Sequence, residues 1–496
     1  MITKRRNVLL IIADQFRSDC LGAVGNARIL TPHLDALAAS GVLFRKCFVQ
    51  TSPCGPSRMC IYTSRYMCST RAVNNYTPLA DAEENFVQNL KDAGYHTAAF
   101  GYDDYSLDPR ILPAHDARKT SLSYANFLPG FDSVFLHEYH SPEYFEYLRA
   151  VGYPEELCDE SITTTQDVPT DGPGAHLALR YPARYAAAHS ECAFLAGKAC
   201  DFIAAHSAGG WFASVNFIKP HPPRICPSPY HDMYAPGDMP GANRRKEELH
   251  SGHPYLQMAH AAPALESERD LRETRACYYG MISEVDANIG RIMETLRESG
   301  QSENTLVIFT SDHGEYLGDH YFLDKGHFYD ETMRVPLIIR DPSPSAEARR
   351  GTQLDGFCES IDTAPTILEY LGIGVPDRFQ GASLLSRIRG ESNDAGKDAI
   401  HFEYDFRGKF SRLKNEDPDC CVLWVIRDDQ YKYVQFGIEE LPPLLFDIQN
   451  DPGEHENLAD RAAFDGVVSR YCQRMLRWRM KHEDQRMEHW ASQYRQ

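Results

Sequence analysis

Short, unbroken apolar runs alternate with amphipathic stretches through most of the chain. Val8–Ala13, Thr97–Tyr102, Phe212–Ile218, Leu306–Thr310 and Pro336–Arg340 lack strict alternation, as strands buried on both faces of a parallel sheet do. Between them the periodicity is helical. Thr31-Pro32 opens one helix, with Thr31 expected as N-cap and Pro32 in the first turn. Leu79–Ala93 is a second, and Tyr181–His206 and Leu265–Ser299 are longer. This rhythm predicts an α/β architecture, a large mostly parallel sheet flanked by helices. Such sheets bind ligands beyond the carboxyl ends of their strands. Asp14, Tyr102, Lys219-Pro220-His221 and Asp312-His313 stand at or just after strand ends, so one shared site is expected there.

After about Gly390 the pattern changes. His401–Tyr404, Val422–Arg427 and Tyr431–Phe436 read as antiparallel strands, with Asp428-Asp429 as a hairpin turn, and Leu458–Gln485 reads as a terminal helix. We therefore expect a catalytic domain over residues 1–390 and a small α+β domain over 391–496. A chain of 496 residues is too long for one ordinary core. Phe131–Pro173 and Pro222–Pro263 are rich in Pro, His, Tyr and Gly without periodicity, as substrate-shaping excursions are.

Composition narrows the partners. Hydrophobic residues make up 43% and charged residues 24%, ordinary for a globular protein. The formal net charge of −19 argues against nucleic acid or an anionic membrane as a partner, since both need a basic face. A small anionic substrate stays open, because a cation and a few bases make one pocket locally positive. Lys4, Arg5 and Arg6 precede the run Val8–Ala13, but it is short, leads into Asp14-Gln15 and has no cleavage site after it. It reads as a buried strand, not a signal peptide. The 14 cysteines are scattered and form no small disulfide framework, so the expected location is cytoplasmic.

Two patterns carry chemistry. Asp14 and Asp312-His313-Gly314-Glu315 bring carboxylates and an imidazole to two strand exits, a set suited to a divalent metal; each could also be a polar turn. Thr51-Ser52-Pro53-Cys54-Gly55-Pro56-Ser57-Arg58 places a cysteine ahead of a helical pattern, with proline two residues on and arginine four residues on. On its own it could be a structural cysteine beside a Gly-Pro turn.

Cys54 to Arg58 resembles the signature of type I sulfatases, whose cysteine is oxidised after synthesis to formylglycine. The likeness extends along the chain in order. Val8 to Gln15 resembles the first metal-ligand strand of the sulfatase branch of the alkaline phosphatase superfamily, and Thr31 to Ala38 the helix after it. Thr305 to Gly318 resembles the second metal segment; Arg334–Leu337, Asp362–Thr366 and Asp447–Pro452 resemble later landmarks. Two departures matter. Gln15 stands where many sulfatases have a second aspartate, and Gly101-Tyr102-Asp103-Asp104 replaces a Gly-Lys-Trp-His segment. Both point toward the phosphonate monoester hydrolase subgroup and its arylsulfatase relatives.

That resemblance implies a set of roles. By it, the metal ligands are Asp14, Cys54 as formylglycine, Asp312 and His313. Arg58, His221 and Lys325 join Cys54 as catalytic residues, and Asn75 and Tyr102 bind substrate. Asp104 departs from a subgroup threonine and would repel an anion unless it points away or pairs with a base. The single metal is expected to be manganese, favoured over calcium by its one nitrogen ligand. The expected activity is hydrolysis of sulfate monoesters, with phosphonate monoesters and phosphodiesters as further substrates. The alternatives are phosphonate monoester or phosphodiester hydrolysis as the main activity, a phosphatase or phosphodiesterase that never modifies Cys54, and a non-catalytic binding protein on the same fold. The expected partners are a small anionic ester, a formylglycine-generating enzyme during maturation, and further copies of the chain. Trp478 and Trp490 of the terminal helix are candidates for that interface. His33, His320 and His327 are read as structural.

Overall fold

The strands that read as continuous apolar runs form the centre of a large sheet. The structure, a computed structural model, describes residues 5–79, 82, 84–110, 112–116, 127–138, 141–166, 180–391, 396–407 and 417–483. Among these, the large sheet contains β1 (Asn7–Ala13), β2 (Val42–Phe48), β4 (His96–Gly101), β5 (Ser133–Leu136), β6 (Trp211–Phe217), β7 (Thr305–Thr310), β8 (Arg334–Arg340), β9 (Thr352–Leu354) and β10 (Cys358–Glu359). Their order is β10-β2-β8-β7-β1-β6-β4-β5, with β9 beside β2. Strands β7, β1, β6, β4 and β5 are mutually parallel. Every residue of β1, β6 and β7 is buried, because alternate side chains enter different cores. Val8, Leu10 and Ile12 join one cluster, while Leu9, Ile11 and Ala13 join the other. On the second face lie the helices Glu191–Ala205 and Glu268–Glu298, packed on each other.

A second, smaller sheet has the order β14-β13-β12-β11-β3. It comprises β3 (Thr51–Ser52), β11 (Ile400–Asp405), β12 (Val422–Arg427), β13 (Tyr431–Phe436) and β14 (Leu444–Asp447). The last four pair antiparallel. Strand β3 pairs parallel to β11, Glu403 facing Thr51 and Tyr404 facing Ser52. The chain just before Cys54 is thus held by strands far downstream.

Several expected elements differ in detail. Strand β8 is antiparallel to both β7 and β2. Between β7 and β8 the longest regular element is the single turn Asp330–Met333, so the chain re-enters the sheet from the edge it left. Thr31 does not cap with its side chain. Its hydroxyl accepts from Gly22 N at 2.9 Å, and the amides of His33 and Leu34 donate instead to the Asp286 carboxylate at 3.2 and 2.7 Å. The helix expected over Leu79–Ala93 shortens to Phe86–Asp92, started by the Asn85 side chain, which accepts from Gln88 N at 3.1 Å; residues 80, 81 and 83 lie outside the described set. That expected over Tyr181–His206 starts only at Glu191, capped by Ser190. The terminal helix runs Asp465–Lys481. Trp478 is used within the chain, stacked on His401 at 4.1 Å and edge-on to Tyr66 at 4.7 Å; Gln485 and Trp490 lie outside the described residues. Among the described residues no helix is long and apolar enough to cross a membrane.

One glycine shapes a strand exit. Gly101 ends β4 with φ of 98°, and a Cβ there would lie 2.1 Å from Asn216 O. Only a residue without a side chain lets β4 turn Tyr102 against β6. Gly101→Ala is expected to destabilise the fold by about 1–3 kcal/mol, read as a lower urea midpoint with an unchanged m-value.

Candidate active site

Four neighbouring parallel strands, β7, β1, β6 and β4, deliver their exits side by side. Asp14 leaves β1, Tyr102 leaves β4, His221 follows β6, and Asp312 and His313 follow β7. Opposite them the helix Cys54–Thr63 starts with Cys54, and all ten of its residues are buried. Its dipole favours negative charge at that end.

Asp14, Cys54, Asp312 and His313 each offer one atom to a group whose members all lie within 4.8 Å of one another. The Cys54 sulfur is 3.2 Å from His313 Nε2 and 3.9 Å from Asp14 Oδ1. His313 Nε2 is 3.6 Å from Asp14 Oδ1 and 3.9 Å from Asp312 Oδ1. His313 Nδ1 bonds to Gly314 O at 3.0 Å, which leaves Nε2 as the inward lone pair. Asp312 is oriented through Oδ1 by the amides of His313 and Gln15 at 2.9 and 3.1 Å. Two buried carboxylates, an imidazole with its other nitrogen committed, and a fourth donor at position 54 fit a divalent cation with mainly oxygen ligands.

Arg58, one turn into the helix, is fully buried. Its Nε donates to Asp312 Oδ2 at 2.8 Å, and Nη2 lies 3.4 Å from Asp14 Oδ2. Its Nη1 donates to Tyr102 O at 3.1 Å and to Asn216 Oδ1 at 3.2 Å. The guanidinium stands 4.2 Å over the Tyr102 ring, and the Tyr102 hydroxyl donates to Asp14 Oδ2. Asp104 stands beside a base, its Oδ2 3.5 Å from Arg58 Nε without a hydrogen bond. Burial opposes the charge on Asp14, but His221, Lys325, His313 and Arg58 hold its carboxyl well below the usual range. Burial pushes the Cys54 thiol and the Asp104 carboxyl upward, Asp14 adding to the first and Arg58 opposing the second.

The remaining predicted residues close around this group. Asn75 Oδ1 accepts from Gly55 N at 3.0 Å, so the N–H end of the amide is what it can offer an anion. Lys325 Nζ donates to Gln15 Oε1 at 2.9 Å. Burial acts against its charge, yet Cys54, Asp14 and Asp312 raise its pKa above the ordinary value. His221 interacts electrostatically with Asp14, Lys325 and His313, and its Nδ1 bonds to Pro222 O at 2.7 Å. Burial lowers its pKa, with Asp14 pulling the other way.

Residue types alone carry no signal for the supports Asn216 under Arg58, or Arg224 and Asp324 around Gln15. Glu315, expected with Asp312 and His313 in a metal-suited run, stands outside the Asp14, Cys54, Asp312 and His313 group and bonds Gln15 and Arg224 instead. His320 converges with Glu248 and His455. Both Glu248 oxygens there accept from imidazoles, at 2.9 and 2.7 Å, which closes a hydrogen-bonded group in keeping with a structural histidine.

The comparisons with known proteins agree along the whole chain. The family model described as Sulfatase matches residues 6–373. That described as N-sulphoglucosamine sulphohydrolase, C-terminal, matches residues 318–481. The multifunctional alkaline phosphatase superfamily protein PehA of Trinickia caryophylli is 35% identical over 98% of either chain. An arylsulfatase of Clostridium perfringens is 29% identical over 95% of this chain and 93% of its own. The crystal structure of the phosphonate monoester hydrolase of Agrobacterium radiobacter superposes with a TM-score of 0.89 at 36% identity, covering 96% of each chain. The chain therefore belongs to the sulfatase family, hydrolases of the alkaline phosphatase superfamily.

Proposed function

We propose that the protein hydrolyses sulfate monoesters through a formylglycine made from Cys54, and that it also accepts phosphonate monoesters and phosphodiesters. The observation that carries this reading is the place of Cys54. It starts a buried helix, 3.2 Å from His313 Nε2, among Asp14, Asp312 and the Arg58 guanidinium. A second reading, with phosphonate monoesters as the main substrates, is favoured by Gln15 and by the likeness to the Agrobacterium enzyme. Sulfate and phosphonate monoesters both carry one negative charge, so the charge of the site does not separate them. Turnover of an aryl sulfate, an aryl phosphonate monoester and a phosphodiester side by side decides. Aryl sulfate as the substrate of highest kcat/KM supports the first reading, and phosphonate in that place supports the second.

Asp14, Asp312, His313 and the modified residue 54 would hold the cation. Bound there, a divalent ion lowers the pKa of an adjacent hydroxyl and offsets charge on the ester oxygens. A formylglycine at position 54, once hydrated, would supply a hydroxyl as the nucleophile toward sulfur or phosphorus. Arg58, Lys325 and the Asn75 amide stabilise charge on the equatorial oxygens. His221 protonates the departing ester oxygen. Burial depresses its pKa in the free protein, and the anion of a bound ester raises it again. The formylglycine would also supply a second hydroxyl, through which the acid would leave by C–O cleavage, with no need for water to attack an anionic centre. Preparations for such work come from a host that supplies a formylglycine-generating enzyme.

The role of His221 has a direct check. His221→Ala is expected to lower kcat/KM by about 10²–10⁴-fold for esters of poorly acidic alcohols, and by much less for activated aryl esters. A Brønsted plot against leaving-group pKa should steepen; equal losses across the series would remove the proton-donor assignment.

A further inference from the structure

We infer that Arg224 is a positioning residue that couples the loop carrying His221 to the loop carrying Lys325. The inference rests on the roles proposed for those two residues. His221 sits on a short strap after β6, and each end of the strap is fastened by a buried charge. At the near end Lys219 Nζ donates to Glu284 Oε2 at 2.6 Å and to Tyr185 OH at 2.9 Å. At the far end, three residues beyond His221, Arg224 Nη2 donates to Glu315 Oε2 at 2.8 Å and to Asp324 Oδ1 at 2.7 Å.

Those two carboxylates are what shapes the approach to Lys325. Glu315 is fully buried. Its Oε1 accepts from Asp324 N at 2.6 Å and from Leu317 N at 3.0 Å, so one side chain draws the loop 315–324 closed. The Gln15 amide donates to both Glu315 and Asp324 while its oxygen accepts from Lys325 Nζ. One guanidinium therefore touches the groups that set both the backbone before Lys325 and the side chain that receives its ammonium. The Arg224 side chain is itself about nine-tenths buried and Glu315 fully so, which shields that pair from the screening that weakens surface pairs; Asp324 is about half exposed.

Removing this link should leave the catalytic groups in place but let their separation drift. A displacement of about 1 Å can cost roughly 10²-fold in rate. We expect Arg224→Met, in metal-loaded and modified full-length protein, to lower kcat by about 10–100-fold for esters of poorly acidic alcohols, with KM changed by less than about threefold. Arg224→Lys should recover part of the loss, since it keeps the charge but not the planar donor set. The decisive comparison is the same substitution in a His221→Ala background, where little further loss is expected because the residue being positioned is gone. Full additivity there, or no kcat loss from Arg224→Met alone, overturns the inference. If Arg224→Met does not fold, Asp324→Ala removes a partner of the same contact from its half-exposed side and is held to the same criterion. His221→Ala and Lys325→Ala alone report on the underlying reading: if neither lowers turnover, that reading fails and the coupling fails with it. If both do and the Arg224 effect is additive, only the coupling fails.

Discussion

Cys54→Ala is expected to abolish turnover, by about 10⁴-fold or more if Cys54 furnishes the nucleophile, with little effect on folding. The thiol is small, and its loss from a buried position costs about 1 kcal/mol. The charged neighbours keep their partners, because Arg58 remains bonded to Asp312, Tyr102 and Asn216. Cys54→Ser separates the chemistry further. A serine hydroxyl could take up the sulfuryl or phosphonyl group, but release would need water to attack an already anionic centre. A burst of one equivalent of alcohol followed by a stall is expected. In protein from the native source, the peptide spanning Cys54 should carry the mass of an aldehyde at that position. Retention of the full thiol mass in an active preparation would sink the formylglycine reading, and the phosphatase alternative would take its place.

The second large effect is expected at Asp312. The Asp312 carboxylate accepts from Arg58 Nε at 2.8 Å, from His313 N at 2.9 Å and from Gln15 N at 3.1 Å, and it is fully buried. Asp312→Ala should lose bound metal and turnover together. It also leaves a buried guanidinium short of its shortest charged contact, and breaking such pairs costs about 3–5 kcal/mol. Asp312→Asn keeps the volume and an acceptor, so it should recover much of the stability and little of the metal. Metal analysis of gel-filtered protein and denaturant melts with and without chelator measure both. Chelation should lower the melting temperature of the parent, because a ligand of the native state stabilises by mass action, and should leave Asp312→Ala unmoved. A metal-loaded, active Asp312→Ala protein would overturn the ligand assignment.

Much of the site was legible in the chain because its physical causes are local. A strand buried on both faces is mostly apolar, so Val8–Ala13 and Leu306–Thr310 stand out as runs, and the first charged residues after them, Asp14 and Asp312, mark strand exits. The parallel rhythm then groups Asp14, Tyr102, His221, Asp312 and His313, and the structure does bring them together. Cys54, Arg58, Asn75 and Lys325 came from resemblance instead. No periodicity distinguishes Lys325 from a solvated lysine, and only the fold sets its ammonium against Gln15. Strand β8 shows the limit of local reading, since an apolar run does not say in which direction the chain enters the sheet.

The chain by itself determined the α/β class, the four strand exits and the motif that heads the buried helix. Tertiary structure alone decided three further things. The downstream sheet holds β3, and with it the approach to Cys54. Asp104, which as a bare carboxylate would repel an anion, stands 3.5 Å from Arg58. Arg224 ties together carboxylates 91 and 100 residues away. The physical reason is shared. Burial and periodicity are properties of neighbouring residues and leave a record in sequence, whereas an ion pair depends on a distance of a few ångströms. The chain sets that distance only once it has folded.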